Sequence, residues 1–426
     1  MSLAALGCGT APPGALEDGS GSAGSEGSGS EGSGTDTADD PSTPPPGPGS
    51  DLEPGACYEH DILRGAPLDM KMVDQPIVDA VVIDPTGDGD SLFVTYDGAD
   101  CLSRLDGDGL AEWTYDDSGC DSLDVDPQGN ALLAGTISVT PDNSEDFVRV
   151  HKVSPQGEQL WVVDLQEPGV QYRDFVVASD GTGDLLVAGN EISERDFGTW
   201  LYRISGDGDV QWRRRIADAT QYTYLSVSSP DAIHVAYNAF NSGHFVYARR
   251  FDAEGEPQWT TQLPNPGGER LRVTGFAADS QGNVGIASST RMANGAHISN
   301  HLHMVNADGS VRWDLSSVDF EWLGRARSMA FDHCDDLVVA GLGSPGDQHL
   351  GQAWVAKFAP DGETVWSEFY NSDFLNDAPI FDNDLATAVD IYDDGSILAF
   401  GLMTVDLEQN GTIVDVLRRW HAHFEP

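Results

Sequence analysis

The chain has 426 residues, and its 70 Asp and Glu outnumber its 22 Lys and Arg, which gives a formal net charge of −48. A field of that sign repels nucleic acids and anionic lipids, so the composition excludes binding to either through a basic patch. The sequence contains no run of about 18 apolar residues that would span a membrane as a helix. The length suits one large all-β domain with appended segments.

The first eight residues end at a cysteine. Cys8 follows the small residues Ala4, Ala5 and Gly7 and precedes a polar tract. This arrangement resembles the lipobox of bacterial lipoproteins, in which the cysteine becomes the acylated N-terminus. Ala5 stands where that family usually has Leu, and the basic and apolar regions of a signal peptide are missing, which a start further upstream would explain. We expect residues 1–8 to be a truncated signal segment with a lipidated Cys8; the alternative is an ordinary disordered N-terminus with an unrelated cysteine.

Residues 9–56 consist almost entirely of Gly, Ser, Thr, Pro and acidic residues. Such a segment cannot bury enough apolar surface to fold, so we predict a disordered linker. Its composition is typical of a tether between a membrane anchor and a folded head. We therefore expect an exported lipoprotein at the cell surface or in the periplasm, with the outer membrane as its site and the lipid as its only membrane contact. The folded domain is predicted over residues 57–426.

A glycine followed four residues later by a tryptophan is the organising motif of that domain. Successive tryptophans are 47 to 54 residues apart, which is the period of a four-stranded propeller blade. The motif occurs six times, at Gly109–Trp113, Gly157–Trp161, Gly208–Trp212, Gly255–Trp259, Gly309–Trp313 and Gly362–Trp366.

Each repeat contains four predicted strands, a to d, from the channel to the rim. In the second repeat these are Ser122–Asp126, Ala131–Gly135, Phe147–Val153 and the strand that carries Trp161. Alternating apolar residues between Gly and Asp turns indicate strands, and the continuous apolar run indicates a strand packed on both faces. The repeats begin near residues 77, 121, 173, 222, 272, 325 and 386.

The seventh repeat lacks a fourth strand. After Ile397–Gly401 it offers one more strand, Val416–Phe424. The segment from about Asp61 to Met72 has no partner of its own, so we predict that it supplies strand d of the seventh blade. Closing the ring in this way removes the open sheet edges that promote aggregation. The predicted fold is an all-β, seven-bladed β-propeller of four-stranded blades, closed by an N-terminal strand.

The Gly-x-x-x-Trp turn resembles the tryptophan-docking repeat of pyrroloquinoline-quinone-type propellers over about residues 61–426. The resemblance implies that each tryptophan packs between neighbouring blades. The members with quinone chemistry are longer, and the chain also resembles unassigned propeller repeats of bacterial surface lipoproteins, so the fold is implied more strongly than quinone chemistry. The family repeat has an Ala six residues before the Gly, where this chain has one Ala, at Ala356, and otherwise Ser103, His151, Tyr202, Arg249 and His303.

Four of the five cysteines fall at the ends of predicted strands. Cys101 opens strand c of blade 1 and Cys120 precedes strand a of blade 2, so both lie at the end of the ring where the b–c and d–a connections meet. Cys334, in an a–b turn, and Cys57, before the borrowed strand, lie at the opposite end. We predict the disulfides Cys101–Cys120 and Cys57–Cys334, which suit an exported protein; the alternative is buried free thiols. No Cys-x-x-Cys pair indicates a structural zinc site.

Arginine recurs seven residues before the turn aspartate in three repeats, as Arg173, Arg272 and Arg325. We predict that all three lie where strand a enters the central channel, with Arg327 two residues further in. Several guanidinium groups around one mouth would bind a carboxylate, sulfate or phosphate group. The alternative is local pairing with acidic neighbours, namely Asp174, Glu269 or Glu321.

Histidines alternate on two predicted c strands, as His301 with His303 and as His421 with His423, and His297 precedes the first pair. Two histidines on one face of a strand can bind a metal. No third ligand is evident, however, and strand c lies far from the channel. We therefore interpret both as surface pairs and predict no metal site.

Two kinds of acidic turn have structural explanations. The aspartates after strand a are expected to hydrogen-bond the backbone of their own turn rather than to act in catalysis; they are Asp126, Asp180, Asp279 and Asp332. Dense acidic turns lack the pattern of an EF-hand loop and suit tight turns between strands; they are Asp84–Asp90, Asp106–Gly109 and Asp207–Asp209. No cofactor is predicted, and weak Ca²⁺ binding by these turns stays open.

The sequence contains no nucleophile elbow, phosphate-binding loop or zinc-protease helix motif. We expect a non-enzymatic, monomeric, lipid-anchored propeller that binds a protein, glycan or small ligand on one face of the ring. The alternative is a propeller enzyme, either a quinone-dependent dehydrogenase or a carbohydrate-active hydrolase, with its site at the channel mouth. Its nearest candidate residues are Asp124, Asp174, Arg327 and Asp390, which need not converge.

Overall fold

The structure is a computed structural model. It describes residues 69–73, 78–83, 92–96, 101–106, 110–139, 146–193, 197–218, 220–239, 245–265, 270–291, 297–317, 320, 323–343, 351–370, 384–392, 395–409 and 412–424. The predicted signal segment with Cys8, and the predicted linker, lie outside these residues. No helix in the described ranges is long and apolar enough to cross a membrane.

The described chain forms seven four-stranded antiparallel sheets, which confirms the predicted propeller. Blades 1 to 6 are β2–β5, β6–β9, β10–β13, β14–β17, β18–β21 and β22–β25, and blade 7 has the order β1-β28-β27-β26. In chain order the strands are β1 (Asp69–Val73), β2 (Val78–Ile83), β3 (Leu92–Tyr96), β4 (Leu102–Leu105), β5 (Ala111–Tyr115), β6 (Ser122–Val125), β7 (Ala131–Ile137), β8 (Phe147–Val153), β9 (Gln159–Leu165), β10 (Gln171–Ser179), β11 (Leu185–Ile192), β12 (Phe197–Ile204), β13 (Val210–Asp218), β14 (Thr220–Ser229), β15 (Ala232–Ala239), β16 (Phe245–Phe251), β17 (Pro257–Gln262), β18 (Arg270–Ala278), β19 (Val284–Arg291), β20 (His297–Val305), β21 (Val311–Ser316), β22 (Arg325–Phe331), β23 (Leu337–Gly343), β24 (Gln352–Phe358), β25 (Thr364–Tyr370), β26 (Leu385–Ile391), β27 (Ile397–Gln409) and β28 (Thr412–Phe424).

The ring closes through an N-terminal strand, as predicted. Strand β1 pairs antiparallel with β28, from Asp69 opposite His423 to Val73 opposite Arg419. The innermost strands contact one another in turn around the ring, and β26 of blade 7 contacts β2 of blade 1. The described closing strand begins at Asp69, and the β27–β28 hairpin, with 13 residues in each strand, is longer than the sequence pattern indicated.

The second strand of each blade forms the centre of the core. All but the last residue of β11 are buried, because this strand is covered on both faces. Apolar clusters join each blade to the next, as where Leu132 and Val150 of blade 2 pack with Val187 and Ile204 of blade 3. Each Å² of apolar surface buried in these contacts between blades contributes about 25 cal/mol to stability.

The first five docking tryptophans each contact the Gly turn of the following blade. The indole N–H of Trp161 donates to the Gly206 carbonyl at 2.8 Å, and a Cβ on Gly208 would lie 3.1 Å from the Trp161 ring. Gly208 also has a φ of +93°, so it is favoured both by backbone conformation and by the close approach of the ring. The same indole-to-carbonyl bond links Trp113 to Pro155, Trp212 to Ala253, Trp259 to Ala307 and Trp313 to Pro360.

The last tryptophan docks differently, since no Gly-x-x-x-Trp copy follows it. Trp366 is buried, and its ring stacks on Phe424 of the closing blade with centroids 5.7 Å apart and planes at 20°. Its indole N–H has no acceptor among the described residues. An aromatic contact at the junction between blades 6 and 7 thus stands in place of the hydrogen bond used elsewhere.

The turn aspartates bond their own turns. Asp126 Oδ1 accepts from the backbone N–H of Gln128 and of Asn130, each at 2.9 Å. Three of these carboxylates also form buried ion pairs with strand c: Asp126 with Lys152 at 2.9 Å, Asp332 with Lys357 at 2.8 Å, and Asp180 with Arg203. These bonds fix each a–b turn to the strand beside it.

The predicted disulfide between Cys101 and Cys120 is present, with Cα atoms 5.5 Å apart. It links the first blade to the second. Cys334 also belongs to a disulfide. Its predicted partner, Cys57, lies outside the described residues, so that pairing stays a prediction.

Candidate functional site

Three of the predicted arginines occupy equivalent positions on the innermost strands. Arg173 pairs with Asn190, Arg272 with Ser289 and Arg325 with Leu342 across the a–b ladder of their blades. A β-bulge follows each arginine and bends the strand at the end where it enters the ring. The repeat therefore presents side chains from this position at one end of the channel.

The structure brings Arg272, Arg325 and Arg327 together around one cavity of about 330 Å³. Arg173 lies on blade 3, is exposed and does not line it. Strands from blades 4 to 7 form the walls, so the cavity occupies one side of the ring. The other lining residues are Tyr224, Val273, Thr274, Ala326, Leu385, Thr387 and Leu402.

The guanidinium groups of this cavity lie beside tyrosines. The Arg272 guanidinium is 3.7 Å from the centroid of the Tyr222 ring, a cation–π contact. Burial raises the pKa of the Tyr224 hydroxyl, and Arg272, with the other two arginines, opposes that rise. Tyr224 therefore stays protonated at neutral pH and keeps a hydrogen-bond donor among the three positive charges.

Local pairing does not account for Arg272 or Arg327 within the described residues. Neither Arg272 nor Arg327 forms an ion pair with a residue that the structure describes. The Asp174 carboxylate instead accepts from the Asn190 amide at 3.3 Å. The two other acidic residues proposed as partners, Glu269 and Glu321, lie outside the described ranges.

Asp124 and Asp390 hold the ring together rather than converging on the cavity. Asp124 Oδ2 accepts from the backbone N–H of Ser179 at 2.6 Å, and Asp390 Oδ2 from that of Ile83 at 2.8 Å. Each bond joins one innermost strand to that of the next blade. Burial raises the pKa of each carboxyl to about 6, although the backbone donors act in the opposite direction. Neither residue lines the arginine cavity, and neither does Asp174.

The His301–His303 pair is not on the surface. Both side chains are at most 5% exposed, because this face of strand β20 is covered within the ring. The register of strands β20 and β21 places Asp314 directly opposite His303. A third ligand type that the sequence did not indicate therefore lies beside the two imidazoles. Of the second pair, His423 is half-buried, and the side chain of His421 lies outside what the structure describes.

The acidic turns act in tight connections where the structure describes them. Asp106 accepts from the Leu110 N–H at 2.9 Å, and the Asp209 N–H donates to Ser205 Oγ at 3.0 Å. The turn around Asp84–Asp90 lies outside the described residues. Calcium binding by these turns is left as a sequence-based prediction.

Comparisons with known proteins show likeness of fold alone. No protein-family model matches the chain, and no curated protein sequence matches it. Solved structures do match, among them a protein of unknown function from Bacteroides caccae, with 13% identity and a TM-score of 0.40 over 66% of this chain and 93% of that one. Polysaccharide lyase Uly1 has 11% identity and a TM-score of 0.49 over 83% and 90%. A Synechocystis apocarotenoid oxygenase has 12% identity and a TM-score of 0.44 over 68% and 74%.

Proposed function

We propose that the propeller is a non-enzymatic, exported binding module that holds an anionic group of its ligand between Arg272, Arg325 and Arg327. The observation that supports this most is the convergence of three guanidinium groups on one cavity in a chain with a net charge of −48. Placing like charges together costs free energy, which a bound anion offsets. The ligand is a protein, a glycan or a small molecule that carries a carboxylate, sulfate or phosphate group.

The chemistry of the cavity favours such a group. Guanidinium presents planar pairs of N–H donors that match two oxygens of a carboxylate, sulfate or phosphate. Tyr224 and Thr387 add hydroxyl groups to the lining, which suit further polar atoms of the ligand. A volume of about 330 Å³ lies at the small end of ligand sites. One acidic sugar unit or one acidic side chain is therefore the size of group that this cavity suits.

Binding is favoured over catalysis by the residues that line the cavity. Besides the arginines, the only described lining residue with a titratable side chain is Tyr224, whose raised pKa makes it a poor base at neutral pH. The acid–base candidates Asp124 and Asp390 bond backbone N–H groups elsewhere. No observation specifically favours a quinone-dependent dehydrogenase or a hydrolase.

Export and lipid anchoring belong to the same proposal. The Cys101–Cys120 disulfide supports an oxidising compartment, and Cys8 followed by a polar linker supports an anchor. Cells that express the gene together with its natural upstream region, and cells that express the Cys8→Ser variant of it, would be labelled with a clickable palmitate analogue. Label on the wild type that is lost in the variant supports the anchor, and an unlabelled wild type contradicts it.

The anion site is tested by calorimetric titration of the full chain with polygalacturonate, dextran sulfate and neutral dextran. We expect one or both anionic polymers to bind and neutral dextran not to bind. Replacing Arg272, Arg325 and Arg327 by Ala removes charge-assisted bonds of about 1.5–3 kcal/mol each, so affinity falls by at least about tenfold. Arg214→Ala is the matched control, since that arginine is exposed in strand d. Equal affinity in the triple variant and the control would overturn the proposal.

A further inference from the structure

A second constellation lies away from the arginine cavity, in strands c and d of blade 5. His301 and His303 are two residues apart on β20 and present their rings on one face, with planes at 6° and centroids 5.8 Å apart. Asp314 lies opposite His303 on β21. Its Oδ1 is 3.1 Å from His303 Nδ1 and 3.9 Å from His301 Nδ1. Two imidazole nitrogens and one carboxylate oxygen thus converge.

The two Nδ1 atoms are buried and lack hydrogen-bond partners in the described structure. His303 Nδ1 lies 3.1 Å from Asp314 Oδ1, but the angle at the ring nitrogen is too small for a hydrogen bond. His301 Nδ1 lies 3.9 Å from the same oxygen, which is too far for one. A buried nitrogen without a partner costs about 1–3 kcal/mol. Two such nitrogens within 4 Å of one carboxylate oxygen form a set of electron-pair donors that a positive ion would satisfy.

Serine hydroxyls hold the opposite nitrogen of each ring. Ser299 Oγ is 2.9 Å from His301 Nε2, and Ser288 Oγ is 3.3 Å from His303 Nε2. Ser299 is in turn fixed by Thr290, whose Oγ1 is 2.8 Å from its hydroxyl. When each Nε2–H donates to its serine, each Nδ1 is unprotonated and its lone pair is free to bind an ion. Metal-binding histidines are oriented in this manner by a partner on the second ring nitrogen.

We propose that His301, His303 and Asp314 bind a divalent transition-metal ion of the zinc class through His301 Nδ1, His303 Nδ1 and an Asp314 carboxylate oxygen. The three ligand atoms lie within 4.8 Å of one another. A tetrahedral ion with bonds of about 2.0–2.1 Å holds its ligands about 3.4 Å apart, so small side-chain rotations complete the site.

The types of the three ligands indicate which ion binds, and their exposure indicates how the ion enters. Two imidazoles with one carboxylate suit Zn²⁺, Co²⁺, Ni²⁺ or Cu²⁺, whereas Ca²⁺ and Mg²⁺ require mainly oxygen ligands. The Asp314 side chain is 30% exposed, while the histidine side chains are at most 4% exposed. The ion therefore enters past the carboxylate, and its remaining ligands are water. Since His303 and Asp314 belong to adjacent strands, the ion clamps strand c to strand d.

The test uses the full chain without an affinity tag, freed of metals with EDTA. Titration with Zn²⁺ is expected to give one tight site that Ca²⁺ does not compete for, and Co²⁺ is expected to give the absorption of a tetrahedral or five-coordinate ion. Asp314→Asn should weaken Zn²⁺ binding more than about 100-fold, and Ser288→Ala by about tenfold, as losses of a ligand and of its orienting partner. His151→Gln is the matched control, since that buried histidine occupies the same position in blade 2, with Asp117 3.8 Å away.

Two results would overturn the site. One is wild-type protein with no stoichiometric Zn²⁺ binding; the other is binding of equal affinity in the Asp314→Asn and His151→Gln variants. X-ray absorption at the zinc edge of the wild type needs no variant to fold. Two imidazoles with oxygen ligands support the assignment, and sulfur or oxygen ligands alone contradict it.

Discussion

Replacing Gly208 by Ala tests the junction between blades most sharply. The new Cβ would lie 3.1, 3.3 and 3.5 Å from three atoms of the Trp161 ring, on a backbone with φ of +93°. The left-handed backbone costs a non-Gly residue about 1–2 kcal/mol. Moving the ring also weakens the indole bond to the Gly206 carbonyl, 2.8 Å long, at about 1 kcal/mol. We expect the free energy of unfolding to fall by about 2–4 kcal/mol with the lost packing included.

A second glycine separates the cost of the backbone conformation from the cost of displacing the Trp161 ring. Gly181 has a φ of +77°, yet a Cβ there would meet nothing within 4 Å. Gly181→Ala should therefore cost only the backbone term of about 1–2 kcal/mol. Urea unfolding followed by tryptophan fluorescence would compare the two variants. If Gly208→Ala and Gly181→Ala lose the same free energy, the tryptophan docking contact contributes nothing, and the reasoning is refuted.

Two further predictions concern buried charges. Asp124 and Asp390 have folded pKa values of about 6, above the unfolded value of about 3.9. Their contribution to the free energy of unfolding is therefore fully present below pH 4, where both carboxyls are protonated, and it is lost as the pH rises through 6. Replacing both by Asn should remove this pH dependence, which thermal melts of wild type and variant between pH 4.5 and 7.5 would measure; curves that stay parallel contradict it. Lys357→Met leaves Asp332 charged and buried without its ion pair, so stability should fall by about 3–5 kcal/mol. Arg214→Ala, an exposed control, should change it by less than about 1 kcal/mol, and similar losses in urea unfolding would contradict this difference.

The ring could be predicted from the sequence because the residues that mark each blade are close together in the chain. A glycine at positive φ makes the c–d turn, and the tryptophan four residues later fills the gap to the next blade, so spacing alone counts the blades. The missing fourth strand of blade 7 likewise predicted closure by β1. These features depend on residue type and periodicity, which are visible without coordinates.

The placement of Asp314 opposite His303 was not predicted, because it depends on a bulge. Counting from the turn pair Val305–Val311 without a bulge would set His303 opposite Trp313. The ladder shifts by one residue between Met304 and Val305, which sets His303 opposite Asp314 instead. A shift of one residue moves a side chain to the other face of a strand.

The arginine cavity was partly predictable. Equivalent register placed Arg272 and Arg325 at the same end of the channel, but the cavity lies on one side of the ring and leaves Arg173 out. Tyr222 lies beneath Arg272 with a φ of +54°, a conformation unusual for a tyrosine. No pattern in the sequence indicates that conformation, so the aromatic part of the site required the structure.

The proposed function depends on an anion binding among Arg272, Arg325 and Arg327. The most direct measurement is a crystal structure of the protein soaked in selenate, with anomalous scattering used to locate selenium. We expect a selenium peak in the cavity within hydrogen-bond reach of at least two of these guanidinium groups, and no such peak in the triple Ala variant. Selenate peaks elsewhere on the molecule with none in this cavity would contradict it.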